Sequence, residues 1–167
     1  MRGFRRGIGL SLLGALALWP AGGQSRASHR GWPRIDGRLV VNGGDRDATL
    51  RGVLDRHNEL LGGHGNDTIF AGRAGDVMWG DYKPSGQPSS QADRIHGGPG
   101  RDFIYSSHGF SQIWTGAGND QVMLVYGHGI VYCNGRGRKV LVMRRLARNR
   151  HWILHGCSHA RIVPYAA

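Results

Sequence analysis

From Gln121 to the C-terminus the chain has no acidic residue; all 11 aspartates and glutamates fall between Asp36 and Asp120. Against them stand 22 lysines and arginines, for a formal net charge of +11. The unbalanced end gathers Arg136, Arg138, Lys139, Arg144, Arg145, Arg148, Arg150 and Arg161. Such a basic stretch is either a solvated face or a surface for anionic polymers, and Arg144, Arg145, Arg148 and Arg150 are the candidate polyanion-binding residues. Cysteine is nearly absent. The two present, Cys133 and Cys157, rule out a disulfide-dense scaffold, and in an exported chain an isolated pair forms one bridge. They lie close to His151, His155 and His159, but the spacing matches no zinc signature.

Long apolar runs are missing too. The best, Ile8 to Trp19, covers 12 residues, short of the roughly 20 a membrane-spanning helix needs. Behind Arg2, Arg5 and Arg6 it reads as a secretory signal, with cleavage after Gly23 or Ala27. Stable membrane insertion is not expected. Without those three arginines and Arg26 the chain keeps 18 basic against 11 acidic residues, so the basicity does not come from the leader. No catalytic constellation stands out. Ser106-Ser107-His108-Gly109 sets serine beside histidine, but adjacency in sequence is not triad geometry, and the expectation is a protein that is not an enzyme.

What the chain has is glycine, 29 residues of it, against an average usage of about 7%. The glycines are periodic. Gly62-Gly63-His64-Gly65-Asn66-Asp67-Thr68-Ile69-Phe70 reads G-G-x-G-x-D-x-U-x, with U a large apolar residue. Glycines let the turn aim its carbonyls inward, and the aspartate adds a hard anionic oxygen suited to Ca²⁺. The apolar residue two places on begins a strand whose side chain turns into a core. Gly97-Gly98-Pro99-Gly100-Arg101-Asp102 and Thr115-Gly116-Ala117-Gly118-Asn119-Asp120 repeat the loop. Ala71-Gly72-Arg73-Ala74-Gly75-Asp76 is a weaker copy, with Ala74 in place of a glycine.

Registered on the aspartate, Asp67, Asp76, Asp93, Asp102, Ser111, Asp120, Gly129 and Arg138 recur every nine residues, with one interruption before Asp93. Two residues after each comes Ile69, Met78, Ile95, Ile104, Ile113, Val122, Val131 and Val140, all apolar. Loops two repeats apart stack on the same edge of such a solenoid. Asp76, Asp102 and Asp120 therefore share one edge, and Asp67, Asp93 and Ser111 the other. Ca²⁺ needs six to eight oxygens, which two stacked loops supply as two aspartates and several carbonyls. The best expected site lies between the Asp102 and Asp120 loops, the next between Asp76 and Asp102. A third between Asp67 and Asp93 is weakened by Gln91-Ala92 where glycines should stand. Expected metal-site residues are Gly62, Gly63, Gly65, Asp67, Gly72, Asp76, Asp93, Gly97, Gly98, Gly100, Asp102, Gly116, Gly118 and Asp120. Ser111, Gly129 and Arg138 bring no carboxylate, so the last turns are expected to be metal-free.

Over Leu60 to Val140 the sequence resembles hemolysin-type (RTX) calcium-binding repeat proteins. The resemblance implies an all-β, right-handed parallel β-roll of nonapeptide repeats with Ca²⁺ as cofactor, outside the cell. The basic C-terminal third departs from the usual acidic repeats, and no effector domain is expected beside them. The expectation is a small, exported, monomeric bacterial calcium-binding protein. Its organisation reads as signal peptide 1–27, linker 28–33, N-terminal cap and degenerate turns 34–61, β-roll 62–141 with an insertion at 82–92, and a basic, disulfide-stapled cap 142–167. Two other readings remain: a cell-envelope or polyanion-binding protein, and an enzyme scaffolded on the roll.

Overall fold

The computed structural model describes residues 34–41, 45–81, 88–144 and 151–165. The expected leader and linker, residues 82–87 of the insertion, and Arg145, Arg148 and Arg150 lie outside the described residues. Among the described residues thirteen short strands follow one another: β1 (Leu39–Val41), β2 (Thr49–Arg51), β3 (Glu59–Leu61), β4 (Thr68–Phe70), β5 (Val77–Trp79), β6 (Ala92–His96), β7 (Phe103–Tyr105), β8 (Phe110–Trp114), β9 (Asp120–Leu124), β10 (His128–Tyr132), β11 (Lys139–Arg144), β12 (Trp152–His155) and β13 (Arg161–Tyr165). Odd-numbered strands form one sheet, in the order β1-β3-β5-β7-β9-β11-β13, and even-numbered strands the other, β2-β4-β6-β8-β10-β12. Every described strand pair is parallel. The chain thus winds as a two-sheet β-roll, one strand per sheet per turn. Residues 34–61 contribute β1, β2 and β3 to the two sheets. Strands β12 and β13 carry the sheets on past residue 141.

The strands are short because the repeat alternates glycine turns with triplets such as Thr68-Ile69-Phe70. Side chains alternate across a strand, so the middle residue points in and its neighbours out. In the odd sheet Leu60, Met78, Ile104, Val122 and Leu141 stack in register, fully buried. In the even sheet Leu50, Ile69, Ile95, Ile113 and Val131 form a second buried stack. Each such side chain contributes roughly 1.5–3 kcal/mol of burial. The two stacks form one core between the sheets, and each coil is further covered by the coils above and below.

One assignment is corrected. Val140, expected as the inward residue of the last repeat, is only half buried; Leu141 is the buried one, and it pairs with Val122. The turn before β11 is one residue longer than the period. This shifts the repeat by one, so that Lys139, not Arg138, stands beside Asp120.

Outside the even sheet, Phe70, His96, Trp114, Tyr132 and His155 form a continuous column, with ring centroids 4.7, 4.3, 5.2 and 5.2 Å apart and every pair stacked. The Arg51 guanidinium covers its first ring, 4.1 Å from the centroid. The other sheet stacks Trp79 on Tyr105 at 3.8 Å. Cys133 and Cys157 are bonded to each other, tying the turn after β10 to the turn after β12. Their sulfurs are consequently not zinc donors.

Candidate metal centre

The turns that precede the odd strands stack on one edge and carry the residues 71–76, 97–102 and 115–120. Here Asp76, Asp102 and Asp120 are all buried, and backbone hydrogen bonds lace them together. The Asp76 amide donates to Oδ1 of Asp102 at 2.8 Å, and the Asp102 amide to Oδ1 of Asp120 at 2.9 Å. Within their own turns, Gly72 and Gly98 donate their amides to Oδ2 of Asp76 and Asp102. Each carboxylate therefore spans two coils, one oxygen reaching back to the preceding turn. Gly97 is tied by its amide to Trp114 O.

Two features of these turns demand glycine. At Gly118 a Cβ would fall on the Gly100 carbonyl, and at Gly100 it would strike Ala74 and Gly75, so the coils cannot stack this closely with any other residue there. Gly75 takes φ +109°. It sits one place after Ala74, which replaces the expected glycine. Gly116 closes the last of the three turns.

On the opposite edge lie Gly62, Gly63, Gly65, Asp67 and Asp93. The Asp67 amide donates to Oδ1 of Asp93 at 2.8 Å, and Oδ1 of Asp67 accepts from the Ala48 amide at 2.9 Å. Gln91, expected to spoil this site, folds its amide nitrogen toward Oδ2 of Asp93 at 3.4 Å. Serine continues the ladder, with the Ser111 hydroxyl 2.8 Å from that of Ser107. The edge further holds Asp81, whose Oδ2 accepts from the His108 amide and faces Nδ1 of its ring at 2.8 Å. Neither neighbouring serine serves that histidine: the Ser106 hydroxyl bonds Met123 O and Tyr126 O, and that of Ser107 faces Ser111.

Stacking buried carboxylates is unfavourable without positive charge. Burial, with the neighbouring aspartates adding to it, pushes Asp102 up to about 8, Asp93 to about 7 and Asp67 to about 6. Asp76 and Asp120 also rise, burial again the first cause. Two buried acceptors among the described residues, Oδ2 of Asp67 and Oε1 of Gln91, have no hydrogen-bond partner. Orphaned oxygens beside stacked carboxylates are a donor set that fits a hard cation. The clearest sign lies at the end of the first edge. There the buried Lys139 ammonium bonds both Oδ2 of Asp120, at 2.8 Å, and the carbonyl of Gly118, so a glycine-turn carbonyl and a ladder carboxylate do converge on a positive charge. Among the described residues no three His, Cys, Asp or Glu side chains cluster to hold an ion. A metal here would rest on at most two carboxylates, with backbone carbonyls supplying the rest. Asp76, Asp102 and Asp120 would hold Ca²⁺ on one edge and Asp67 and Asp93 on the other; the ion would supply the neutralising charge.

Sequence reasoning missed Asn58 and Lys139. Asn58 is fully buried; its side-chain nitrogen donates to Oδ1 of Asp76 and to the carbonyls of Val53 and Arg56. The signal was present, since Asn58 lies nine residues before Asp67 with apolar Leu60 two places on. Among the arginines read as polyanion-binding, Arg144 is exposed, its guanidinium 5.2 Å from the Tyr126 ring centroid.

Comparison with known families matches the RTX calcium-binding nonapeptide repeat, in four copies, to residues 54–81 and 97–124. Repeats of this kind bind Ca²⁺. Neither a curated protein nor a solved structure shows significant similarity to the chain.

Proposed function

We propose that this calcium-binding β-roll protein, built on RTX repeats, is exported and serves as a structural or binding module whose folding is coupled to ion capture. The observation that carries the proposal is the ladder of Asp76, Asp102 and Asp120, buried and linked at 2.8 and 2.9 Å. An unfolded chain keeps these carboxylates apart and hydrated; the roll stacks them, and a divalent ion offsets the repulsion. Ion binding is then folding free energy. Export is supported by the basic and apolar N-terminal stretch and by the Cys133–Cys157 bridge, which an oxidising compartment favours. In this reading the serines beside His108 have no catalytic part, their hydroxyls being bonded elsewhere.

Titrating the EDTA-treated full chain with Ca²⁺ while following far-UV circular dichroism tests the reading. The expected result is a saturable gain of β signal over a less stable, metal-free roll, weaker in Asp102→Ala and Asp120→Ala and absent with Mg²⁺. A spectrum that calcium leaves unchanged, with no calcium bound, would sink it.

A second reading is favoured by one observation. Arg136, Arg138, Arg144 and Arg161 are all exposed, in a region without a single acidic residue. This face would hold an anionic envelope polymer or nucleic acid, with calcium purely structural. Salt-sensitive retention on an anionic matrix, lost when Arg144, Arg145 and Arg148 are changed to alanine, would support it; unchanged retention would eliminate it.

A further inference from the structure

The turn before β11 is a calcium loop with its charge reversed. Asn134-Gly135-Arg136-Gly137-Arg138-Lys139-Val140-Leu141-Val142 repeats the spacing of Gly62 to Phe70: glycines at the second and fourth places, a buried apolar residue at the eighth, and lysine at the sixth, where aspartate belongs. The structure gives the substitution a location. Lys139 pairs with Asp120 across the coils and is 4% exposed. Its ammonium bridges Oδ2 of Asp120 and the Gly118 carbonyl, one ladder carboxylate and one glycine-turn oxygen. The two turns are stacked as closely as those before them, since a Cβ on Gly137 would fall on the Gly118 carbonyl. Elsewhere in the ladder an aspartate amide donates to the next carboxylate; here the Asp120 amide finds Arg138 O instead, because no carboxylate follows.

The residue type fits the task. Only two of the 22 basic residues are lysines, Lys83 and Lys139; the others are arginines. An ammonium is a compact point charge on a flexible stem, whereas a guanidinium is a planar fork suited to bidentate pairing. Of the two, the ammonium is nearer to a small cation in shape. At the other end of the ladder Asn58 does the same without charge, its amide nitrogen bridging Asp76 and two turn carbonyls.

We propose that Lys139 is a tethered cation occupying the slot between the turns ending at Asp120 and Lys139, where a divalent ion would otherwise sit. Lys139 at one end and Asn58 at the other limit this edge to two ion slots, Asp76/Asp102 and Asp102/Asp120, and the C-terminal coil closes without metal. The proposal rests on the calcium reading above.

The test compares wild-type full chain with Lys139→Asp and Lys139→Met, measuring bound Ca²⁺ per chain by isothermal titration calorimetry and thermal melting in EDTA. Lys139→Asp restores the repeat and is expected to bind one more Ca²⁺ than wild type, while melting lower than wild type in EDTA. Lys139→Met fills the slot with an apolar chain, so it is expected to melt lower in EDTA with no ion gained. If Lys139→Asp binds the wild-type number of ions, or fails to fold even in Ca²⁺ while Lys139→Met melts like wild type in EDTA, the tethered-cation assignment is wrong. Wild type binding no calcium would instead overturn the calcium reading itself. Those failures are separable, because one is read on the difference between proteins and the other on wild type alone.

Discussion

The backbone amide of Asp102 donates to the carboxylate of Asp120, 2.9 Å away in the next coil, while the carboxylate of Asp102 accepts from Asp76 in the coil before. In the proposed arrangement Asp102 would be shared by both ion slots of its edge, whereas Asp120 would serve one slot and Lys139. Asp102→Ala should remove two bound ions from this edge and Asp120→Ala only one. Equilibrium dialysis against radioactive calcium reads the difference directly; equal losses would contradict a shared ligand.

The pH dependence of the metal-free protein follows from the raised carboxyls. Asp67, Asp93 and Asp102 hold protons in the folded roll up to about 6, 7 and 8, while in the unfolded chain they release them near the ordinary value of 3.8. Between these limits the folded state binds more protons, so stability falls as pH rises. The contribution is complete below the unfolded value and gone once pH has passed the folded ones. In EDTA the urea midpoint should drop from about pH 4.5 to about pH 8.5, and calcium affinity should climb over the same range as ions replace protons. A flat or rising EDTA profile would count against buried, proton-bearing aspartates.

Reducing the Cys133–Cys157 bridge, which spans a sequence separation of 24, releases a loop whose closure is worth about 3 kcal/mol on chain-entropy grounds. Cys157→Ser should lower stability by that order in Ca²⁺ and in EDTA alike, because the bridge joins turns beyond the last ladder aspartate. Denaturant melts in both conditions measure it. A loss confined to EDTA would place the bridge inside the metal-dependent part.

Ile104 is fully buried between Met78 and Val122, and Ile104→Ala should cost about 2–5 kcal/mol. Ile162 continues the same column beyond Leu141 but is 58% exposed. Ile162→Ala should stay within about 0.5 kcal/mol of wild type. Urea melts of the pair check whether the column's worth comes from enclosure between coils.

The roll is legible in the sequence because its signal is doubly periodic. Glycine turns and inward apolar residues recur together, so spacing alone assigns Ile69, Met78, Ile95, Ile104, Ile113, Val122 and Val131 to the core. The edges follow by counting: Asp76, Asp102 and Asp120 stack on one, Asp67 and Asp93 on the other. Counting fails at one added residue before β11. It moves the register, exchanging Arg138 for Lys139 and Val140 for Leu141, and with no aspartate after Asp120 nothing in the sequence resets the count there, as Asp93 does after the longer insertion. Asn58 keeps the nine-residue register but goes unnoticed because its turn, Val53 to His57, has no glycine. Gln91 reads as a defect, since no period shows that a side-chain amide can fold into the place of a backbone one.

The aromatic column outside the even sheet gives the molecule an optical gauge of its own. Trp114 is sandwiched face to face between His96 and Tyr132, at 4.3 and 5.2 Å, and these three rings belong to three successive strands of that sheet, β6, β8 and β10. Ring faces already covered by neighbours leave only edges toward solvent, so the indole's emission and near-ultraviolet dichroism depend on its coil lying in register with the coils above and below. A slip of one residue would turn the ring to the opposite face of the strand. Light absorbed at Trp114 therefore reports whether the middle of the roll is wound, without any label.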